Sequence, residues 1–189
     1  MLANRGAMVV DADAVTHEVL EQANIKTALV DSFGIEILSD NGYIDRVALG
    51  EKVFGNVQQR ELLESILRST LEAELWRRIE RFKSAVMQRR DVNRGVVILD
   101  APLIVEWAMQ DRLQRLIVVV ADEALKIERL KNSRGLSGEE IKKRIQAQVS
   151  DNERTAAADM IVDNNAGLLQ LEQIADDLWT ELTRRMSSS

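Results

Sequence analysis

Met8-Val9-Val10 is a short apolar run that ends in Asp11-Ala12-Asp13. Three more runs share its character: Val96-Val97-Ile98-Leu99, Leu116-Ile117-Val118-Val119-Val120 and Met160-Ile161-Val162. All are rich in β-branched residues. Three of the four end directly in an aspartate (Asp11, Asp100, Asp163), and the other is followed by Ala121-Asp122. Continuous rather than alternating hydrophobicity suits strands buried on both faces, as in a parallel sheet. The intervening segments read as helices. An α/β layered domain follows, with ligands expected beyond the carboxyl ends of the strands.

The stretch between Gly55 and Gly95 contains neither Gly nor Pro. Leu62, Leu63, Ile66, Leu67, Leu71, Leu75, Ile79, Phe82 and Val86 recur at spacings of three and four. That period predicts helix, and the length predicts several helices with a bend. Asp40-Asn41-Gly42 is a turn signal between two short apolar stretches. Ser137 to Glu140 reads as a capping box at a helix start. A last helix is predicted from about Leu168 to Arg185, with Leu171, Ile174, Leu178 and Leu182 on one face. Leu2 to Gly6 reads as the last turn of a helix closed by Gly6. From this the chain is expected to begin in mid-element, with upstream sequence missing.

Composition narrows the chemistry. The 189 residues carry 46% hydrophobic and 30% charged side chains, an ordinary globular balance. The net charge of −6 disfavours broad binding to nucleic acid or anionic membranes. There is no cysteine, which excludes disulfides, thiolate metal sites and cysteine nucleophiles. The single histidine, His17, excludes a multi-histidine metal centre. No apolar run approaches the ~20 residues of a membrane span. A soluble, cytoplasmic protein is the expectation.

Several residues are candidates for chemistry. Asp11 and Asp13, where a strand opens into a helix, can hold Mg²⁺ through water or accept a hydroxyl proton; the plainer alternative makes Asp11 a strand end and Asp13 a helix cap. Asp100 ends its strand as a Walker-B aspartate does. Pro102, the only proline, stiffens the exit from that strand, either to build a pocket or to make a plain turn. His17 stands one helical turn beyond Asp13, facing the same cleft or half-buried in the helix. Residues 126–154 carry eight basic and five acidic side chains, a local +3 that suits an anionic ligand or a solvated, ion-paired face. Within them Arg134, followed by Gly135, is expected to sit in a loop. Trp76, Trp107 and Trp179 are expected in the core. No phosphate-binding Gly-x-x-x-x-Gly-Lys-Ser/Thr pattern occurs.

Taken in order, the segments resemble the dephospho-coenzyme A kinase family of P-loop kinases over nearly the whole chain. The likeness rests on Val9-Val10-Asp11-Ala12-Asp13 with His17-Glu18-Val19, Gly42-Tyr43-Ile44-Asp45-Arg46 and Leu49-Gly50-Glu51-Lys52-Val53-Phe54. It continues through Leu99-Asp100-Ala101-Pro102-Leu103-Ile104-Val105-Glu106, Glu128-Arg129-Leu130 with Arg134, and Arg144-Ile145-Gln146-Ala147-Gln148. It closes on Ala158-Asp159-Met160-Ile161-Val162-Asp163-Asn164-Asn165.

The resemblance implies a three-layer parallel-sheet P-loop kinase fold. A helical CoA-binding subdomain would cover approximately residues 34–94, and a helical lid approximately residues 126–154. It implies transfer of the ATP γ-phosphate to the ribose 3′-hydroxyl of dephospho-CoA, with Mg²⁺. By the same resemblance Asp13 is the base and a Mg²⁺ contact, and Asp11, His17, Asp100 and Pro102 border the dephospho-CoA site. Arg134 and Arg144 belong to the lid, and Asn164 lies near the adenine of ATP.

Two departures stand out. The family's Gly-rich loop would precede Leu2, and the strand leading into it would be the centre of the sheet; neither is among the 189 residues. Ile66-Leu67 is followed by Arg68-Ser69 where the family shows His-Pro. The chain as it stands is therefore expected to be a poor kinase. The alternative is a non-catalytic relative that binds CoA-like ligands or nucleotides.

Overall fold

The four apolar runs become four short strands in the computed structural model, which describes residues 1–88, 95–134, 138, 141, 145 and 150–184. They are β1 (Met8–Asp11), β2 (Val97–Asp100), β3 (Ile117–Val120) and β4 (Met160–Asp163). β1 pairs with β2 and β3 with β4, both parallel, giving two separate two-stranded sheets. Among the described residues no strand joins one pair to the other. The chain divides into two compact units, Gly6–Ala101 and Met1–Arg5 with Pro102–Ser188.

In the first unit β1 runs directly into α1 (Ala12–Leu20), followed by α2 (Ala23–Phe33), α3 (Arg46–Val53) and α4 (Val57–Gln88). Val15 and Val19 of α1, one turn apart, are fully buried. α1 packs against α4, whose Leu67, Leu71, Leu75 and Ile79 form an apolar stripe, all buried at spacings of four. Burying each such side chain stabilises by roughly 1.5–3 kcal/mol. α4 packs on α1, α2, α3, β1 and β2 and so forms the spine of the unit.

The expected bend is corrected by the structure: α4 is one helix of 32 residues. Partners along its length hold it, as do pairs on its wet face such as Arg68–Glu72 at 2.9 Å and Lys83–Glu80 at 2.7 Å. The turn at Asp40-Asn41-Gly42 is present, closed by an antiparallel bridge between Leu38 and Ile44. Gly42 takes φ +77°, a conformation that L side chains rarely adopt.

In the second unit β3 leads into α5 (Glu123–Arg134), and β4 is preceded by α6 (Asp151–Ala157) and followed by α7 (Leu168–Arg184). Asp159 pins the start of the sheet: its Oδ2 accepts from the N–H of Leu116 at 2.7 Å, and its own N–H donates to the Leu116 carbonyl at 2.9 Å. Leu2–Arg5 form a 3₁₀ turn ending at Gly6, whose φ is +110°. Arg5 ties that turn to α7 through Asp176 at 2.7 Å and the Glu172 carbonyl at 3.1 Å.

Burial on both faces is the expectation that the strands do not meet. Val97, Ile98 and Leu99 are half-buried, while Val9, Val119 and Ile161 are 36%, 55% and 56% exposed. A two-stranded sheet has two free edges and leaves side chains uncovered that a wider sheet would enclose. Trp76 and Trp107 are in the core as expected, and Trp179 is half-buried.

Candidate active site

Parallel pairing brings three carboxylates to the carboxyl end of the β1–β2 sheet. Asp11 and Asp100 are register partners, and Asp13 follows one residue into α1. Their chemical situations differ. Asp11 is the N-cap of α1: its Oδ1 accepts from the N–H groups of Asp13 at 2.9 Å and Ala14 at 3.1 Å. The cap is thus Asp11 and not Asp13, a correction to the plainer alternative. The reason is geometric, since the N-cap carboxylate reaches the N–H groups two and three residues ahead. Asp13 is exposed, and among the described residues nothing donates to its carboxylate. Asp100 is likewise exposed and met by no donor among the described residues, so Asp13 is the uncommitted acid on α1 itself.

His17 lies one turn along the same exposed face of α1. Its ring meets a residue that the spacing of the sequence does not connect to it. Nη1 of Arg46, the first residue of α3, is 3.1 Å from His17 Nδ1 and also contacts Nε2. Arginine only donates, so the imidazole accepts. Arg46 is held over α1 by its surroundings. Glu21 accepts from the Ile44 N–H at 2.9 Å, and Lys26 donates to the Gly42 carbonyl at 3.1 Å. Asp45 caps α3 through the N–H groups of Val47 and Ala48.

Further along α1, Glu18 pairs with Arg78 of α4, and Arg78 also reaches Glu74 at 2.8 Å. Hydrogen bonds first from Arg77 and then from Arg78 hold the Glu74 carboxyl down at about 2, below its usual 4.5. This chain of ions locks α1 to α4 and so orients the helix that carries Asp13 and His17.

In the second unit the carboxyl end of the β3–β4 sheet is organised by Asn165. Its side-chain oxygen accepts from the Asp122 N–H at 2.7 Å, and its Nδ2 donates to Asp122 Oδ1 at 3.1 Å. Its own N–H donates to Asp163 Oδ1 at 2.7 Å. Arg129 of α5 donates to the carbonyls of Asn164 at 2.9 Å and Ala166 at 3.4 Å, bracketing the loop. Asn164 donates its N–H to the Val120 carbonyl at 2.8 Å. The double tie of Asn165 to Asp122 has no sequence signal, because 43 residues separate the partners.

The basic segment is partly neutralised from within. Lys126 and Arg154 both pair with Asp151, whose carboxyl is lowered first by Lys126 and then by Arg154. These two cations follow the solvated-face alternative. Arg134 is the last residue of α5, not a loop residue, because α5 continues one residue further than the Gly135 break suggested. Its side chain, Arg144 and the Ser137–Glu140 cap lie outside the described residues.

Pro102 is exposed and opens a run of turns in which Trp107 donates to the Leu103 carbonyl at 3.0 Å and Met109 to the Ile104 carbonyl at 2.9 Å. A proline at the start of helical turns loses no hydrogen bond, which is why it is tolerated there. Among the described residues no three acids or histidines converge on a metal position, and no helix is long and apolar enough to cross a membrane.

Known proteins are similar to this chain over most of its length. The model of the dephospho-CoA kinase family matches residues 1–170. The dephospho-CoA kinase of Thermobifida fusca is 34% identical over 188 residues, covering 99% of this chain and 90% of the relative. That of Corynebacterium glutamicum is 32% identical over the same length with the same coverage. Among solved structures, TT1252 of Thermus thermophilus superposes with a TM-score of 0.70 at 27% identity, covering 96% of this chain and 88% of that one. The dephospho-CoA kinase of Campylobacter jejuni shares the fold, with a TM-score of 0.67 at 22% identity.

Proposed function

The chain belongs to the dephospho-CoA kinase family, and from that premise we propose that it transfers the ATP γ-phosphate to the ribose 3′-hydroxyl of dephospho-CoA, giving CoA and ADP. The observation that carries the reading within the site is Asp13, an exposed, uncommitted carboxylate in the first turn of α1, just beyond β1.

Asp13 takes the proton as the 3′-oxygen attacks the γ-phosphorus. The new O–P bond forms while the bond from phosphorus to the β,γ-bridging oxygen breaks, and ADP leaves with that electron pair. Asp11 sets the position of Asp13 by capping α1. His17, Asp100 and Pro102 border the acceptor nucleotide, and approximately residues 34–94 supply a helical CoA-binding subdomain. Arg134 and Arg144 belong to the lid of approximately residues 126–154 and balance phosphate charge. Asn164 lies near the adenine of ATP, on the loop that Arg129 brackets.

The donor set suits Mg²⁺, which takes one or two carboxylates and completes its shell with water and nucleotide phosphates. Asp13 would hold it through water. The ion would supply neutralising charge on the phosphates in transfer. The acidic charge and the absence of cysteine fit a cytoplasmic enzyme of small substrates that does not bind nucleic acid.

The residues present supply a base but no Gly-rich phosphate cradle, and phosphoryl transfer depends mostly on positioning and charge stabilisation. The 189 residues alone are therefore expected to turn over slowly. The test joins a Gly-x-x-x-x-Gly-Lys-Ser/Thr strand–loop segment ahead of Leu2 and follows Mg·ATP-dependent conversion of dephospho-CoA. A large gain over the 189-residue chain supports the reading. A folded chimera that binds dephospho-CoA without phosphorylating it favours a non-catalytic CoA-binding relative.

A further inference from the structure

We propose that Arg46 is a specificity residue for the acceptor, gripping the diphosphate of dephospho-CoA from the His17 side of α1. The inference rests on the reading above and adds a residue to it.

Three carboxylates lie at the carboxyl end of the β1–β2 sheet, and the acceptor that must approach them is itself an anion. Without a cation nearby, its diphosphate meets only repulsion. The other cations close to α1 are committed. Arg78 pairs with Glu18 and Glu74, and Lys26 with Glu21 at 3.2 Å. Arg46 differs from both. It is exposed, and among the described residues its side chain contacts the imidazole of His17 and enters no ion pair. A guanidinium has five N–H donors in a planar fork. Contact with one imidazole leaves donors free for phosphate oxygens, the geometry at which arginine excels.

Placement selects the acceptor rather than the donor nucleotide. His17 lies one helical turn, about 5.4 Å along the axis, from Asp13. A ribose whose 3′-hydroxyl meets Asp13 carries its 5′-diphosphate on the opposite side of the ring, and one turn of helix is a suitable span. Arg46 is also pre-positioned, since the hydrogen bonds of Glu21 and Lys26 to the 42–44 segment fix where α3 starts. Little ordering cost is left for the ligand to meet.

The test is titration calorimetry of dephospho-CoA into the 189-residue protein, Arg46→Ala and Arg46→Gln, repeated across a range of NaCl, with thermal melts of each. The expected result is at least a tenfold weaker affinity in both variants, a shallower salt dependence and unchanged melting temperatures. Dephospho-CoA affinity equal to that of the unaltered protein overturns the assignment. So does a loss accompanied by a lowered melting temperature and an unchanged salt dependence, which would make Arg46 a packing residue. If the unaltered protein binds no dephospho-CoA, the proposed function itself fails, and the assignment of Arg46 with it.

Discussion

Asp11 holds the backbone of Asp13: its carboxylate oxygen accepts the Asp13 N–H at 2.9 Å while the Asp13 carboxylate is left open to solvent. Two aspartates a residue apart are therefore in different situations, one a cap and the other the proposed base, and substitution separates them. Asp11→Ala removes a helix cap and should cost about 1 kcal/mol of stability. Asp13→Asn should leave the melting temperature unchanged. In the chimera that carries the Gly-rich segment, it should lower turnover by about 10²–10⁴-fold. A rate within a few-fold of the parent would remove Asp13 from the role of base.

Asn165 bridges Asp122 and sits two residues from Asp163, so its amide NH₂ lies among carboxylates. Asn165→Ala should lose roughly 1 kcal/mol or somewhat more through the missing hydrogen bonds. Asn165→Asp, nearly identical in shape, should be worse at neutral pH because three like charges then meet. Acid should rescue it relative to Asn165→Ala as the carboxylates protonate. Denaturant melts of both variants at pH 7 and pH 4 check this. A more stable Asp than Ala variant at neutral pH would mean that the bridge is not formed.

Glu74 gives a pH dependence of definite sign. Its folded value of about 2 lies below the ordinary 4.5, so its contribution is complete above pH 4.5 and is lost as pH falls from there toward 2. The cause is hydrogen bonding by Arg77 and then Arg78. Glu74→Gln should lower stability at pH 7 and flatten the loss on acidification across that window. Chemical denaturation in pH steps reads both effects. Parallel curves for parent and variant would show that the pair carries no stability.

The two sheets predict the behaviour of the isolated chain. Two-stranded sheets are marginal, and Val119 and Ile161 remain more than half exposed. The 189-residue protein is expected to melt broadly or to self-associate through free strand edges. Circular dichroism melts with size-exclusion chromatography test this. A monodisperse monomer with a sharp transition above about 50 °C, in the ordinary range of mesophile domains, would show that two strands per sheet suffice.

The elements, and the side chains that their ends carry, are legible in the order of residues along the chain. Met8–Val10 and its three counterparts announced the strands because β-branched apolar runs have few alternatives, and the terminal aspartates followed from covalent order. The period of Leu67, Leu71, Leu75 and Ile79 announced helix but not its unbroken length, since continuity depends on packing against α1, α2 and α3 that no local pattern encodes. The same limit explains the site. Asp13 was legible because its neighbours in the chain define its place. The contact of Arg46 with His17 joins residues 29 positions apart, and that of Asn165 with Asp122 joins residues 43 apart. Those contacts come from packing, because hydrogen bonds act over about 3 Å and which distant side chains come that close is settled when the helices and strands assemble.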